Sequence, residues 1–317
     1  MSSKCGIVGL PNMGKSTLFN LIVGKEQAEV ADYPFCTIEP NMAHILVKDE
    51  RLVSLNKMEK SEKILYSSLE LYDIAGLVEG ASQGEGLGNQ FLGHILEVDM
   101  TVHVVRLFKS DSLEADYDPI KGFEIINREI LLWDLQRLEL KISKNKKKND
   151  EEVIELQKIV DEIKSNGLKA MSHIQKSNKV NFPLISSKPM LVLGNGTDPQ
   201  FVNIMKEYCE KHKYKFINFD FHNSSKNQKD VQNLVLEAYK TLNLINFFTA
   251  GPKEIRAWPV KNNATYKQAA GVIHSDIEKG FICAHVVPWS EYTKKKPLMK
   301  KSTDIVQDGD VIVFKHH

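Results

Sequence analysis

Residues Gly9-Leu10-Pro11-Asn12-Met13-Gly14-Lys15-Ser16-Thr17 match the pattern GxxxxGK[ST], directly after an apolar run, Cys5 to Gly9, and directly before another, Leu18 to Val23. Strand, tight loop and helix start follow one another, and this constrains the fold more than any other feature. The glycines let successive backbone N–H groups turn inward into an anion-binding nest, and the helix N-terminus adds the positive end of its dipole. Lys15 then reaches the β and γ phosphates of a nucleotide, and Ser16 offers an oxygen to Mg2+. Asn12, Met13, Gly14, Lys15, Ser16 and Thr17 are the expected phosphate-binding residues. The alternative is a glycine turn that binds nothing.

Further strand-like runs, Leu69 to Asp73 and Met100 to Val105, alternate with helix-like ones in the first 120 residues, which indicates a parallel α/β sheet with crossovers. Two more strand candidates, Met190 to Gly194 and Phe216 to Phe219, come only after a gap. The gap has its own period. Phe123, Ile126, Ile130, Trp133, Arg137 and Leu140 form one 3-4 pattern, and Val153, Leu156, Val160, Ile163, Gly167, Ala170 and Ile174 form another. The polar run Lys144 to Asp150 between them predicts an antiparallel helical hairpin, weakened where Arg137 and Gly167 interrupt the seam. From Phe247 onward short alternating runs, Glu254 to Val260, Gly280 to Val287 and Asp310 to Phe314, predict a small β-rich domain with a basic loop, Lys294 to Lys301. The expected division is a nucleotide-binding domain over 1–120 and 181–245, a helical insert over 121–180, and a C-terminal domain over 246–317. A chain of 317 residues is long enough for these units.

Asp73-Ile74-Ala75-Gly76 ends its strand as a DxxG element, in which Asp73 holds Mg2+ through water and the Gly76 N–H faces the γ phosphate. Thr37, in Tyr33 to Pro40, is the candidate switch threonine that completes the Mg2+ shell when a γ phosphate is present. Order and spacing after the phosphate loop argue for a γ-sensing triphosphatase and against a small-molecule kinase. Leu77 follows Gly76, where a glutamine orients the attacking water in Ras-type enzymes, so another group must do that work. Val78 to Asn89, with four glycines, is expected to be ordered by nucleotide; a passive loop is the alternative.

Composition limits the partners. Net charge is +1, yet residues 120–180 carry 13 basic against 10 acidic groups and 246–317 carry 11 against 7, which leaves 18 against 24 elsewhere. An acidic body with two basic appendages would meet a polyanion through the appendages; ordinary solvated charge is the alternative. Four scattered cysteines without CxxC spacing give neither a zinc site nor a disulfide framework, and no apolar run approaches membrane-spanning length. A cytoplasmic location and no membrane partner are expected.

GLPNMGKSTLFN (9–20), YPFCTIEPN (33–41), DIAGLVEGASQGEGLGNQFL (73–92), FFTAGPKEIRAW (247–258), QAAGVIHSDIEKGF (268–281) and DGDVIVF (308–314) together resemble the Obg-like ATPase (YchF) family, in family order over nearly the whole chain. The resemblance implies a P-loop domain interrupted by a helical hairpin and followed by a TGS domain of β-grasp fold. It implies a cytoplasmic, monomeric ATPase that binds the ribosome, on its large subunit, and acts in translation or stress regulation. RNA contacts would run through the TGS domain and the helical tip, with Trp258, Trp289 and Tyr292 as stacking groups or as core. The resemblance also implies that a histidine on the strand after the second switch stands in for the absent glutamine. His103 occupies that place, and the alternative is a core histidine. Asn12 sits where related proteins use an asparagine to hold K+ in place of an arginine finger; a local turn contact is the alternative.

Guanine is read in this superfamily by N-K-x-D after a strand. Here the strand Met190 to Gly194 leads into Asn195-Gly196-Thr197-Asp198, without the lysine. That departure resembles the ATP-preferring family, in which the last position is usually Glu. Asp198 can still face the ring-edge donors of guanine, whereas adenine presents an acceptor at N1. Asn195, Gly196 and Asp198 are the expected base-reading residues and ATP the expected nucleotide. A GTP-specific switch and a catalytically idle nucleotide-bound scaffold remain the other readings.

Overall fold

A computed structural model of the chain describes residues 3–30, 41–74, 87–109, 117–145, 151–177, 182–221, 228–293 and 295–317, with side chains at 24–30, 87–90, 176–177 and 228–229 left aside. In chain order the elements are β1 (Ser3–Val8), α1 (Lys15–Val30), β2 (Met42–Val47), α2 (Glu50–Glu59), β3 (Lys63–Leu65), β4 (Ser67–Asp73), α3 (Leu87–Glu97) and β5 (Met100–Arg106). Next come α4 (Pro119–Lys144), α5 (Glu151–Asn166), α6 (Ala170–Ser177), β6 (Met190–Asn195), α7 (Pro199–His212), β7 (Lys215–Phe219) and α8 (Gln228–Thr241). The C-terminal part holds β8 (Leu244–Ala250), β9 (Glu254–Lys261), α9 (Tyr266–Ile273), α10 (Ser275–Lys279), β10 (Phe281–Pro288), β11 (Leu298–Lys300) and β12 (Asp310–His316).

The first sheet runs β2-β4-β1-β5-β6-β7, parallel except for antiparallel β2 at one edge. Every residue of β5 and β6 is buried. That follows from strands covered on both faces, where a near-continuous apolar run is stable and an alternating one is not. On one face α1 and α8 pack through Leu18, Ile22, Val231 and Leu234; on the other α3, α4 and α7 pack through Leu92, Phe123 and Met205. The carboxyl ends of β1, β4, β5 and β6 therefore meet at one rim, where an open α/β sheet holds its ligand.

The insert is the expected hairpin, with Val153, Leu156, Val160, Ile163, Ala170 and Ile174 buried. The second helix breaks at Gly167 into a short 3-10 turn before α6. On α4 the seam differs from the sequence reading. Leu140 is 57% exposed, and Leu131, Asp134 and Leu138 are buried instead. Asp134 explains the shift, because its carboxylate accepts the backbone N–H groups of Ile185 (3.1 Å) and Ser186 (2.8 Å) on the return to β6. Arg137 does not weaken the seam: it covers Trp133 and Phe182 and donates to the Pro183 carbonyl at 2.7 Å.

The second sheet runs β11-β10-β12-β8-β9-β3, and α9, closed by a Thr265–Gln268 capping box, covers one face over Phe247, Ala284, Val286 and Ile312. Its edge strand β3 comes from the N-terminal half: Lys63, Ile64 and Leu65 lie in parallel register with Glu254, Ile255 and Arg256. The division at residue 120 therefore omits a feature: the segment between β2 and β4 belongs as much to the C-terminal sheet as to the first. Helix α2 seals the join, burying Leu52 and Leu55 against Phe248, Ile255 and Val311. Trp258, Trp289 and Tyr292 are half-buried against these two cores, and the Trp258 indole N–H donates to Thr249, an arrangement that favours the core reading.

A polar clamp completes the junction. Arg51 donates to both oxygens of Asp49 and both of Asp308 while its guanidinium lies 5.1 Å over Phe248. Asp308 in turn accepts from the Asn246 backbone, and Asn246 accepts the Tyr239 hydroxyl at 2.5 Å. Replacing Arg51 with alanine leaves the nearly buried Asp49 carboxylate short of its donors. We expect a loss of about 2 kcal/mol, because Asp308 is half exposed and contributes less than a buried partner. Equal urea midpoints for Arg51→Ala and the unaltered chain would contradict this.

Candidate functional site

The loop between β1 and α1 has the backbone that a phosphate nest needs. Asn12 is left-handed at φ 63° and Gly14 lies at φ 97°, a region that disfavours side chains. A Cβ on Gly14 would come within 2.4 Å of the Asn195 amide nitrogen. That nitrogen donates to the Met13 carbonyl at 3.0 Å, and the Asn195 oxygen accepts from the Phe221 N–H at 3.5 Å. Asn195, 4% exposed at the end of β6, thus ties the phosphate loop to the base-reading loop.

Lys15 is 7% exposed, and its ammonium group donates to the Leu10 carbonyl at 2.8 Å. Burial lowers its pKa, and the negative charge of Asp73 acts against that shift. The two residues therefore meet at the rim, Lys15 from the start of α1 and Asp73 from the end of β4. Ser16 and Thr17 are exposed in the first turn of α1. A hydroxyl, a carboxylate and phosphate oxygens are the hard oxygen donors that Mg2+ takes, so the residues present fit the ion. Thr37 and Gly76 lie outside the described residues, as do Leu77 and most of the glycine-rich stretch.

Asp198 caps α7: its Oδ1 accepts the Gln200 N–H at 3.0 Å and lies 3.5 Å from the Phe201 N–H. Gly196 has φ 126°, and a Cβ there would meet the Leu107 carbonyl oxygen at 2.6 Å. A side chain at this position, where N-K-x-D has its lysine, would collide with the backbone just past β5.

His103 is 1% exposed in the middle of β5, its ring 4.6 Å from the ring of Phe123 at the base of α4. Its Nδ1 has no hydrogen-bond partner among the described residues. Burial and, after it, the charge of Lys15 lower its pKa to about 3. The ring is neutral and screened from water, and this geometry favours the core reading over the water-orienting one. Two neighbours are absent from the sequence reading of the site: Arg106, which ends β5, and Tyr117, whose hydroxyl donates to the Met13 sulfur at 3.4 Å. An arginine closing a strand that is otherwise apolar but for Thr101 and His103 is the available signal for the first.

Comparison with known proteins follows the two sheets. Residues 4–158 match a family model described as 50S ribosome-binding GTPase, and residues 244–317 match the YchF C-terminal model, described as a protein of unknown function. The ribosome-binding ATPase YchF of Buchnera aphidicola (from Acyrthosiphon pisum) is 37% identical over 99% of both chains. The chain belongs to the YchF family. It is by that membership a nucleotide-hydrolysing P-loop protein. The ribosome-binding ATPase YchF of Bacillus subtilis is 34% identical, again over 99% of each chain. The solved YchF GTPase of Schizosaccharomyces pombe superposes with a TM-score of 0.78 at 28% identity, covering 99% of this chain and 98% of that one. Alignment with the Buchnera protein spans 359 positions against the 317 residues present here, so this member of the YchF family is shortened internally.

Proposed function

We propose that this chain is a Mg2+-dependent nucleoside triphosphatase that hydrolyses ATP in preference to GTP and acts as a switch on the ribosome. The observation that carries the proposal is the convergence at one rim of Lys15, Ser16, Asp73 and the Asn195–Met13 tie. In this reading the loop 9–17 and the Lys15 ammonium hold the polyphosphate, with Lys15 leaving the Leu10 carbonyl for a phosphate oxygen. Ser16 and Asp73 hold the Mg2+ ion, which neutralises charge on the β and γ phosphates when bound. Thr37 and the Gly76 N–H sense the γ phosphate. Asn12 is a candidate holder for K+, which would take the part of an arginine finger.

ATP is favoured by the relatives' names, ribosome-binding ATPases, and by the missing lysine of N-K-x-D. Asp198 argues the other way in part, since its carboxylate caps α7 through Oδ1 and keeps acceptor capacity for the ring-edge donors of guanine. Ribosome association, on the large subunit, rests on the relatives' names, on the family description and on the basic appendages; the chain would act in the cytoplasm as a monomer. No helix among the described residues is long and apolar enough to cross a membrane. Competition of unlabelled ATP and GTP against a fluorescent triphosphate tests the base choice. ATP is expected to compete at least about tenfold better, which corresponds to roughly 1.4 kcal/mol. Equal competition, or a preference for GTP, would transfer the proposal to the GTP switch. Turnover measured in K+ and in Na+ tests Asn12: K+ is expected to stimulate, and equal turnover in the two would remove the K+ role.

A further inference from the structure

Arg106 is 1% exposed at the last position of β5, in register with Asn195 on β6. Its guanidinium lies 3.9 Å from the centroid of the Tyr117 ring and 5.7 Å from that of Phe108. Its Nε and Nη1 have no hydrogen-bond partner among the described residues, and the Tyr117 hydroxyl lies close enough to take a hydrogen bond from the guanidinium. Tyr117 supplies no counter-charge: burial pushes its hydroxyl up to about 12, with the guanidinium pulling in the opposite direction, so it remains a neutral phenol. The ring touches the phosphate loop directly, through the Met13 sulfur.

A guanidinium does not shed its charge on burial. A buried charge of this kind is destabilising until something neutralises it, and no acidic partner for it is found among the described residues. The aromatic faces offset part of this. The ring stacked on Arg106 also touches the loop 9–17, the feature built here for an anion. Gly196 adds a second point: the base loop has no cation of its own, and Arg106 is the positive charge on the neighbouring strand at the same height.

We infer that Arg106 is a positioning residue for the nucleotide: a buried positive charge, held beneath the phosphate loop by Tyr117, whose counter-charge is the bound polyphosphate. This rests on the reading that the loop 9–17 holds the polyphosphate. It acts through the field and not through the chemical step, so it deepens affinity according to ligand charge. Burial of the guanidinium and of the Tyr117 ring that bridges it to Met13 keeps the interaction stronger than it would be in water.

The test is calorimetric binding of adenosine 5′-triphosphate, adenosine 5′-diphosphate and adenosine, each with Mg2+, to the unaltered chain, to Arg106→Met and to Arg106→Lys. Arg106→Met should lose about tenfold or more in triphosphate affinity, less for the diphosphate, and under about twofold for adenosine. Arg106→Lys, which restores the charge, should recover most of the loss. In turnover, KM should rise in Arg106→Met while kcat stays. Without nucleotide, Arg106→Met should melt at or above the unaltered chain, since an unneutralised charge has been removed. Equal losses for all three ligands, an unchanged triphosphate affinity, or failure of Arg106→Met to fold without nucleotide would each overturn the inference. Absence of triphosphate binding by the unaltered chain would instead remove the phosphate-loop reading on which it rests.

Discussion

Lys15→Ala should abolish nucleotide hydrolysis, with turnover reduced by more than about a hundredfold, the scale seen when a preorganised group aimed at developing charge is removed. The expectation comes from where the ammonium group rests. It is buried, its pKa lowered by that burial with Asp73 opposing, and it is satisfied by one loop carbonyl, that of Leu10. A group so placed has one hydrogen bond to exchange and a triphosphate to exchange it for. The loss is specific to function, because the Leu10 carbonyl belongs to a surface loop and water can replace the donor. Melting without nucleotide should therefore stay within a few degrees of the unaltered chain, while the shift on adding Mg2+ and triphosphate disappears. Phosphate release and nucleotide-dependent melting measure the two effects. Hydrolysis within tenfold of normal would refute the site. A variant that lost nucleotide but kept its ribosome association would favour the idle scaffold.

The parts of this structure that were legible in the sequence are those fixed by local rules. The GxxxxGK[ST] run between two apolar segments, the 3-4 pattern of the hairpin's second arm from Val153 to Ile174 and the break at Gly167 each have a short-range cause, and each lies where expected. Elements set by distant partners were not legible. Strand β3 is three residues long and acquires its pairing from β9, almost two hundred positions away. Leu140 fits a helical period but faces solvent, because the Asp134 carboxylate turns α4 to reach the N–H groups of Ile185 and Ser186. At the site, Asn195 and Lys15 could be named from motif spacing. Arg106 could not, since its meaning depends on what surrounds it: a charged residue at a strand end reads as solvated until its burial under Tyr117 is seen. The joining of β3 to the second sheet also has a functional corollary. The segment that separates β2 from β4, and so separates the threonine-containing switch from Asp73, is clamped by Arg51 to the C-terminal domain.

Acid should unfold this chain sooner than carboxylate titration alone would dictate, and His103 is the cause. Its pKa is lowered by burial, and further by Lys15, to about 3, while in the unfolded chain it titrates near an ordinary value of about 6.5. Below about 6.5 the unfolded state therefore takes up a proton that the folded state refuses. The stability tied to the neutral ring is complete above that pH and drains away as pH falls toward the folded value. By pH 4.5 the loss amounts to about 2–3 kcal/mol from this residue. The lowered carboxylates Asp49, Glu162 and Glu237 act in the same direction, but only from their ordinary range downward, below the window in question. Asp134, whose pKa is raised by burial, works the other way and stabilises on acidification. Urea midpoints measured from pH 7 to 4.5 should thus fall steeply in the unaltered chain and more gently in His103→Leu. Parallel lines would show that the imidazole accepts its proton in place, and with it that the ring has the access to water which a role beside the attacking nucleophile requires.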